Sequence, residues 1–129
     1  ELACLECEQR FPVVAGVPFL FDSASLPAFL RLEELSRARS DPRRRHAHGG
    51  AYHWNEYRIE ELLPPPADAP DVLLVGSGDG GERPYLSKLG FRTVAFDIRR
   101  SSATDFLADA HRLPLESGSF DVAISTQVV

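Results

Sequence analysis

A glycine-rich turn directly after an apolar strand is the feature that most constrains how this chain folds. Residues 72–75 read Val-Leu-Leu-Val, and residues 76–81 read Gly-Ser-Gly-Asp-Gly-Gly. A short apolar run bounded by glycines predicts a buried strand. Glycine suits the sharp turn from a strand into a helix, and it lets a ligand approach the backbone closely. Residues 72–82 therefore predict a strand, a ligand-accessible turn and the start of a helix.

The residues that follow continue this alternation of strand and helix. The pattern predicts a helix at residues 82–89, which ends at Gly90, and an apolar strand at residues 93–96. A further apolar strand is predicted at residues 120–125. Residues 103–111 fit a short helix or loop with a third strand. Because the strands are continuously apolar, we expect a parallel sheet covered on both faces. The predicted fold class is α/β, with a partial sheet of about four strands.

The residues before this sheet form two stretches of different composition. Residues 1–22 contain an apolar run interrupted by prolines and a glycine, which predicts short extended segments around a turn. Residues 23–70 contain two helical patterns, separated by an arginine-rich loop at residues 37–50. We therefore expect three units: a small N-terminal segment, a helical connector with a proline-rich linker, and the sheet of residues 71–129.

Composition excludes several classes of protein. With 43% hydrophobic and 26% charged residues, the chain matches globular proteins and not disordered tails. No apolar run reaches the roughly 18 residues of a membrane span, and the acidic start lacks the pattern of a signal peptide. We therefore predict a cytoplasmic protein with no membrane partner. A net charge of −5 argues against nucleic acid as a partner. The arginines of residues 37–50 fit a solvated loop, with phosphate contact as the alternative.

An acidic residue stands at the position where an α/β site binds a ribose. Asp97 directly follows the second predicted strand, so it lies at the same sheet edge as the glycine turn. A carboxylate there accepts hydrogen bonds from both ribose hydroxyls of an adenosine-containing cofactor. An aspartate at a strand end also commonly stabilises the next turn. Beside the glycines, the cofactor role is the better interpretation.

Four segments, in this order along the chain, resemble the class I S-adenosylmethionine-dependent methyltransferases, and among them the type 11 group. They occupy residues 72–80, 94–98, 108–115 and 119–125. The last two segments distinguish this resemblance from the nicotinamide dehydrogenases, which share the first two. The resemblance implies a Rossmann-like sheet, S-adenosylmethionine as a small-molecule cofactor, and methyl transfer to an acceptor that stays unknown at this stage.

The same resemblance implies a set of cofactor-binding residues. They are Gly76, Ser77, Gly78, Gly80, Asp97, Ile98, Asp109, Ala110 and Ser125. The glycines would approach the methionine part of the cofactor, and Asp97 would hold the ribose. Asp109 would face the adenine amino group, with Ala110 beside the ring. Residues 125–127 would lie at the mouth of the pocket.

One position departs from the family pattern. The family usually has an acidic residue two places before the first glycine of the turn, where this chain has Leu74. Asp79, within the turn, either compensates for the missing acidic residue or caps the following helix. No general base can be named, so the catalytic residues are unknown. Tyr52, Trp54 and Tyr57 fit core packing, with a cover over the cofactor as the alternative.

A Cys-x-x-Cys pair, Cys4 and Cys7, lies near the start of the chain. Two such close cysteines cannot build a disulfide framework, and their spacing suits a metal knuckle or a redox pair. With the apolar residues that follow, they resemble the second half of a zinc-ribbon segment that accompanies some methyltransferases. Zinc requires four ligands, so it would need ligands absent from this pair. His46 and His48 are candidates with unusually tight spacing; otherwise the cysteines are reduced and metal-free.

Other functions fit parts of the same sequence. An NAD-dependent oxidoreductase would use the same glycines and Asp97, but it gives no role to the pattern at residues 109–121. A non-catalytic cofactor-binding or partner-activating module would share the sequence entirely. A zinc-dependent nucleic-acid module is opposed by the missing ligands and the negative charge. Because the chain has no methionine and stops within a predicted strand, we also expect a fragment of a larger enzyme.

Overall fold

The computed structural model describes residues 1–31, 61–63, 69–78 and 80–126. The arginine-rich loop with its two histidines, the aromatic residues 52–57, Asp79 and the last three residues lie outside the described residues. Among the helices that are described, none combines the length and the apolar character needed to cross a membrane. The predicted location in the cell stays a prediction.

The described residues form eight short strands and the helices α1 and α2. The strands are β1 (Leu2–Ala3), β2 (Arg10–Phe11), β3 (Val13–Val14), β4 (Val17–Leu20), β5 (Asp71–Val75), β6 (Arg92–Asp97), β7 (Phe106–Ala108) and β8 (Val122–Ser125). Helix α1 covers residues 26–31 of the described part, and helix α2 covers Glu82–Lys88. The four strands predicted after residue 70 are confirmed, and β7 resolves the predicted choice for residues 103–111 in favour of a strand.

Six of these strands form one mostly parallel sheet, in the order β3-β4-β7-β6-β5-β8. β5 pairs in parallel with β6 on one side and with β8 on the other, and β6 pairs in parallel with β7. After β5, the chain adds β6 and then β7 on one side of β5. It then crosses back and adds β8 on the other side of β5. The predicted α/β class and partial Rossmann-like sheet are confirmed.

Apolar side chains cover the sheet on both faces, as continuous apolar strands require. Along β5, Val72 and Leu74 pack with Leu86 of α2, whereas Leu73 packs with Phe96 and with other side chains of the opposite face. Side chains of successive strand residues point to opposite faces, so one apolar strand serves both cores. Leu74, where the family pattern has an acid, is therefore a core residue with 2% of its surface exposed.

The N-terminal segment adds two strands to the sheet, which the sequence did not predict. β3 and β4 form a hairpin whose two-residue turn places Ala15 and Gly16 at positive φ, as the tightest hairpin turns require. β4 then pairs in parallel with β7 at the edge of the sheet. The fully buried ring of Phe19 packs against Leu107 of β7. The sheet therefore has six strands, where about four were predicted.

Candidate functional site

A cavity of about 500 Å³ opens at the carboxyl ends of β5, β6 and β7. This volume lies within the range of small-molecule sites. The described residues that line it are Phe29, Gly76, Ser77, Gly78, Gly80, Gly81, Glu82, Phe96, Asp97, Ile98, Arg99, Ala108, Asp109, Ala110, His111 and Thr126. Parallel α/β sheets bind ligands at this edge, where the strand order reverses. Here the reversal occurs at β5, directly below the glycine turn.

Two glycines of the turn are required for different reasons. Gly78 has a φ of +49°, and a Cβ built there would meet no atom within 4 Å. Its missing side chain therefore leaves open space beside the turn. Gly80 has a φ of +75°, and a Cβ there would overlap the Cβ of Ala103. Gly80 thus allows the turn to pack closely on the loop before β7, whereas Gly78, a lining residue of the cavity, has open space where a side chain would lie.

The carboxylate of Asp97 connects the glycine turn to the end of β6. Its Oδ2 accepts a hydrogen bond from the Gly78 N–H at 2.9 Å, and its Oδ1 accepts one from the Arg99 N–H at 2.9 Å. The backbone N–H of Ser77 also donates to the carbonyl of Phe96 at 3.0 Å. Each carboxylate oxygen accepts about two hydrogen bonds. Asp97 is therefore fixed in position while both of its oxygens keep accepting capacity for a ligand.

Asp109, which follows β7, is fixed by a neighbour in the same way. Its Oδ1 accepts a hydrogen bond from the backbone N–H of His111 at 2.9 Å and lies 2.8 Å from the Nδ1 of the same residue. These two contacts, the backbone one foremost, lower the pKa of Asp109 below its ordinary value. The group is thus a carboxylate at neutral pH, an acceptor and not a donor.

A third carboxylate, Glu82, lies at the β8 side of the cavity. Glu82 begins α2, is only 9% exposed, and accepts a hydrogen bond at Oε1 from the hydroxyl of Thr126 at 2.8 Å. Ser77, another lining residue, is 4% exposed, and its Oγ has no hydrogen-bond partner among the described residues. Buried polar groups ordinarily find partners, so both side chains are suited to meeting a polar ligand.

The part of the chain before the sheet of residues 71–129 reaches the cavity through Phe29 of α1. The ring of Phe29 stacks on that of Phe21, with centroids 3.8 Å apart and planes 10° from parallel. Asp22 caps the turn that leads into this helix by accepting hydrogen bonds from the backbone N–H and the hydroxyl of Ser25, both at 2.7 Å. Its other oxygen accepts from Arg112, which follows the Asp109 loop. Phe29 also packs against the buried cluster that contains Leu107 of β7, so these contacts fix its place in the cavity lining.

The structure brings together eight of the nine residues predicted for the cofactor site. Gly76, Ser77, Gly78, Gly80, Asp97, Ile98, Asp109 and Ala110 all line the cavity. Ser125 is exposed at the end of β8 and is not part of the lining; Thr126, next in the chain, takes that place. The roles given to these residues stay predictions.

Several lining residues were missed by the sequence analysis. Glu82 looked like an ordinary acidic residue in the first turn of a helix, a common position for one. Phe29 reaches the cavity through contacts between distant parts of the chain, which no local pattern shows. Thr126, in contrast, falls within the three residues expected at the pocket mouth, so the sequence did contain a signal for it.

The cysteine pair lies in a separate turn between β1 and β2. The backbone N–H groups of Cys7 and Glu6 point to the sulfur of Cys4 and lower the pKa of its thiol, the contact from Cys7 being the larger. Such a turn stabilises a thiolate. No third cysteine, histidine or carboxylate of the described residues joins the pair, so the residues present do not complete a tetrahedral zinc site. The zinc-ribbon resemblance stays a prediction.

Comparison with protein families identifies the part of the chain that follows residue 72. Residues 73–129 match a family model described as a methyltransferase domain. The match includes residues 73–75 of β5, the glycine turn, β6, β7 and β8, which together build most of the cavity. No curated protein matches this chain. Residues 73–129 therefore form a methyltransferase-like domain, and the predicted resemblance to the class I enzymes is confirmed for this part of the chain.

Proposed function

We propose that this domain binds S-adenosylmethionine in the cavity and transfers its methyl group to a nucleophilic acceptor. The observation that carries the proposal is the order of groups along the sheet edge. Asp109 follows β7, Asp97 is the last residue of β6, the glycine turn follows β5, and Thr126 follows β8. These strands are neighbours in that order. An elongated ligand with an adenosine at one end fits such a row.

In this arrangement the adenosine part lies over the ends of β6 and β7. The two oxygens of Asp97 would accept hydrogen bonds from the ribose hydroxyls, because each oxygen keeps accepting capacity beside its backbone donor. Asp109 would accept from the adenine amino group, with Ala110 and Ile98 against the ring and the ribose. An ionised carboxylate accepts and does not donate, so both residues match groups that donate hydrogen bonds.

The methionine part would then cross the glycine turn toward β8. The open space beside Gly78 allows the ligand to approach the backbone. The hydroxyl of Ser77, which has no hydrogen-bond partner among the described residues, offers a further hydrogen bond at the same turn. Both observations support a fit between these residues and the cofactor, although neither depends on the family match.

The acidity of the cavity supports this cofactor over a dinucleotide. Among its described lining residues, Glu82, Asp97 and Asp109 carry negative charge, and Arg99 carries positive charge. The pyrophosphate of NAD would bring two further negative charges close to the glycine turn and Glu82. Like charges in a partly desolvated site repel, and this discriminates against the wrong ligand.

When bound, the cofactor supplies a sulfonium-activated methyl group. The residues of this chain would then bind the cofactor, orient it and keep its methyl group accessible from the open side of the cavity. Alignment of two reactants can lower the barrier by roughly 7–11 kcal/mol in well-oriented systems, so orientation is the main contribution asked of the protein.

Titration calorimetry with S-adenosylhomocysteine and, separately, with NAD tests the proposal. We expect saturable one-to-one binding of the first ligand and none of the second. Gly78→Val, which fills the open space beside the turn, should remove this binding. Binding of NAD alone, or of neither ligand, would overturn the proposed cofactor. Transfer of a labelled methyl group to an acceptor in a cell extract would then separate a methyltransferase from a non-catalytic binding module.

A further inference from the structure

Glu82 is a buried acid whose charge no described residue neutralises. The side chain lines the cavity with 9% of its surface exposed. Its one hydrogen bond with a described residue comes from the Thr126 hydroxyl at 2.8 Å. Neighbouring Arg83 is engaged elsewhere, because it pairs with Asp105 at 2.9 Å and donates to the carbonyl of Thr93. Within the described part of the chain, Glu82 forms no ion pair.

A buried carboxylate in this state favours a cationic ligand. Moving a carboxylate out of water is costly, and a single neutral hydroxyl compensates for little of that cost. A charge-assisted hydrogen bond from a cation is roughly twice as strong as a neutral one. Because Glu82 faces the cavity and not the core, a bound ligand can supply that cation.

The strand order places Glu82 at one particular end of the cavity. Glu82 follows the glycine turn after β5, and its partner Thr126 follows β8. Asp97 ends β6 and Asp109 follows β7, and both of these strands lie on the opposite side of β5. A ligand whose adenosine contacts Asp97 and Asp109 therefore extends its other end toward Glu82 and Thr126.

We propose that Glu82, held by Thr126, binds the ammonium group at the amino-acid end of the cofactor. This inference rests on the proposed function, since it assumes that the adenosine end lies over β6 and β7. The ammonium would then contact a residue of helix α2. The position on β5 at which the family pattern has an acidic residue is occupied by Leu74, which is part of the core. Glu82 thereby sets specificity for a ligand that carries a free amino group.

Glu82→Gln tests the assignment with two ligands that differ at one end. S-adenosylhomocysteine carries the ammonium, and 5′-methylthioadenosine has the same adenosine and thioether without the amino-acid group. Glutamine keeps the shape and the acceptor for Thr126 but removes the charge. We expect Glu82→Gln to weaken S-adenosylhomocysteine binding by about 10- to 100-fold, the size of a hydrogen bond to a charged group. Binding of 5′-methylthioadenosine should change less than about twofold.

The matched control is Glu116→Gln, which removes a charge from an exposed residue outside the cavity lining. It should leave the affinity for both ligands unchanged. If Glu82→Gln weakens the binding of both ligands equally, with an unchanged melting temperature, Glu82 supports the shape of the glycine turn and does not bind the ammonium. That result would overturn the inference. Wild-type affinity for both ligands in that variant would also overturn it. Neither result overturns the proposed function, which is tested separately by the binding of S-adenosylhomocysteine to the wild-type chain.

A second measurement uses the wild-type chain and does not depend on how the variant folds. An S-adenosylhomocysteine analogue that lacks the amino group but keeps the carboxylate should bind at least about tenfold more weakly. Equal affinity for the analogue and the parent ligand would overturn the inference. Failure of the wild-type chain to bind S-adenosylhomocysteine itself would instead overturn the proposed function.

Discussion

Each of the three carboxylates along the cavity is oriented by a hydrogen bond from the protein itself. Gly78 and Arg99 donate to Asp97, and comparable contacts fix the other two carboxylates. An acceptor fixed before the ligand arrives loses little conformational entropy on binding. The cavity is therefore suited to a ligand that offers several donors along its length.

Asp97→Ala should weaken S-adenosylhomocysteine binding. The variant removes the proposed ribose acceptors, so we expect a loss of about 1.5–3 kcal/mol in binding free energy. Calorimetry measures it, and Glu116→Ala serves as a control for the loss of one surface charge. An affinity equal to that of the wild-type chain would contradict the ribose assignment.

The two required glycines should respond differently to the smallest side chain. Gly78→Ala places a Cβ in open space at positive φ, and we expect a loss of about 1–2 kcal/mol in the free energy of unfolding. Gly80→Ala carries similar strain and also overlaps Ala103, which adds about 1–3 kcal/mol. Urea unfolding measures both variants.

The companion change Ala103→Gly distinguishes overlap from backbone strain. In the Gly80→Ala background it should restore part of the lost stability, because it removes the Cβ that the new methyl group meets. In the Gly78→Ala background it should restore none. Equal effects in the two backgrounds would contradict the packing role of Gly80.

At the scale of elements, local patterns predicted the strands well and their partners less well. The apolar run at residues 72–75 and the glycines after it were sufficient to predict β5 and its turn. The pairing of β4 with β7 was not predictable, because it joins segments far apart in the chain and β4 contains Pro18. Phe29 was missed for the same reason. Local hydrophobic periodicity encodes which face is buried, but not which distant element covers it.

The start of helix α1 should make stability depend on pH. Hydrogen bonds from the Ser25 hydroxyl, then from its backbone N–H, lower the pKa of Asp22 to about 2. The unfolded value is about 3.9, so the folded state binds this proton more weakly. The contribution of Asp22 to stability is therefore fully present above about pH 4 and is lost as the pH falls through about 2.

Thermal melting of the wild-type chain and of Asp22→Asn at pH 7, 4, 3 and 2 checks this dependence. We expect the variant to be less stable at pH 7 and the gap to narrow between pH 4 and pH 2. Glu116→Gln removes a surface carboxylate outside this cap and should show no such change in the gap. A difference between wild type and Asp22→Asn that stays constant down to pH 2 would contradict the cap.

At the scale of the whole molecule, the N-terminal segment and the methyltransferase-like domain share one sheet. The pairing of β4 with β7 joins them, and Arg100 adds further contacts. Its guanidinium donates hydrogen bonds to the carbonyls of Val14 and Ala15 in the β3–β4 turn region. It also lies over the ring of Phe19, 5.8 Å from the ring centroid. The buried Phe19 and Phe21 would be exposed if this edge separated from β7. Strands of one sheet with a shared core usually unfold as one cooperative unit.

This cooperativity predicts that ligand binding stabilises the distant sheet edge. Ligand at 100 times its Kd adds about 2.7 kcal/mol to the free energy of unfolding, which slows exchange through global unfolding about 100-fold. Hydrogen exchange with and without S-adenosylhomocysteine should therefore show similar slowing for amides of β4 and of β6. Amides of β1 and β2, which form a separate two-stranded sheet, should change little. Slowing in β6 with none in β4 would mean that the N-terminal segment opens independently, despite its place in the sheet.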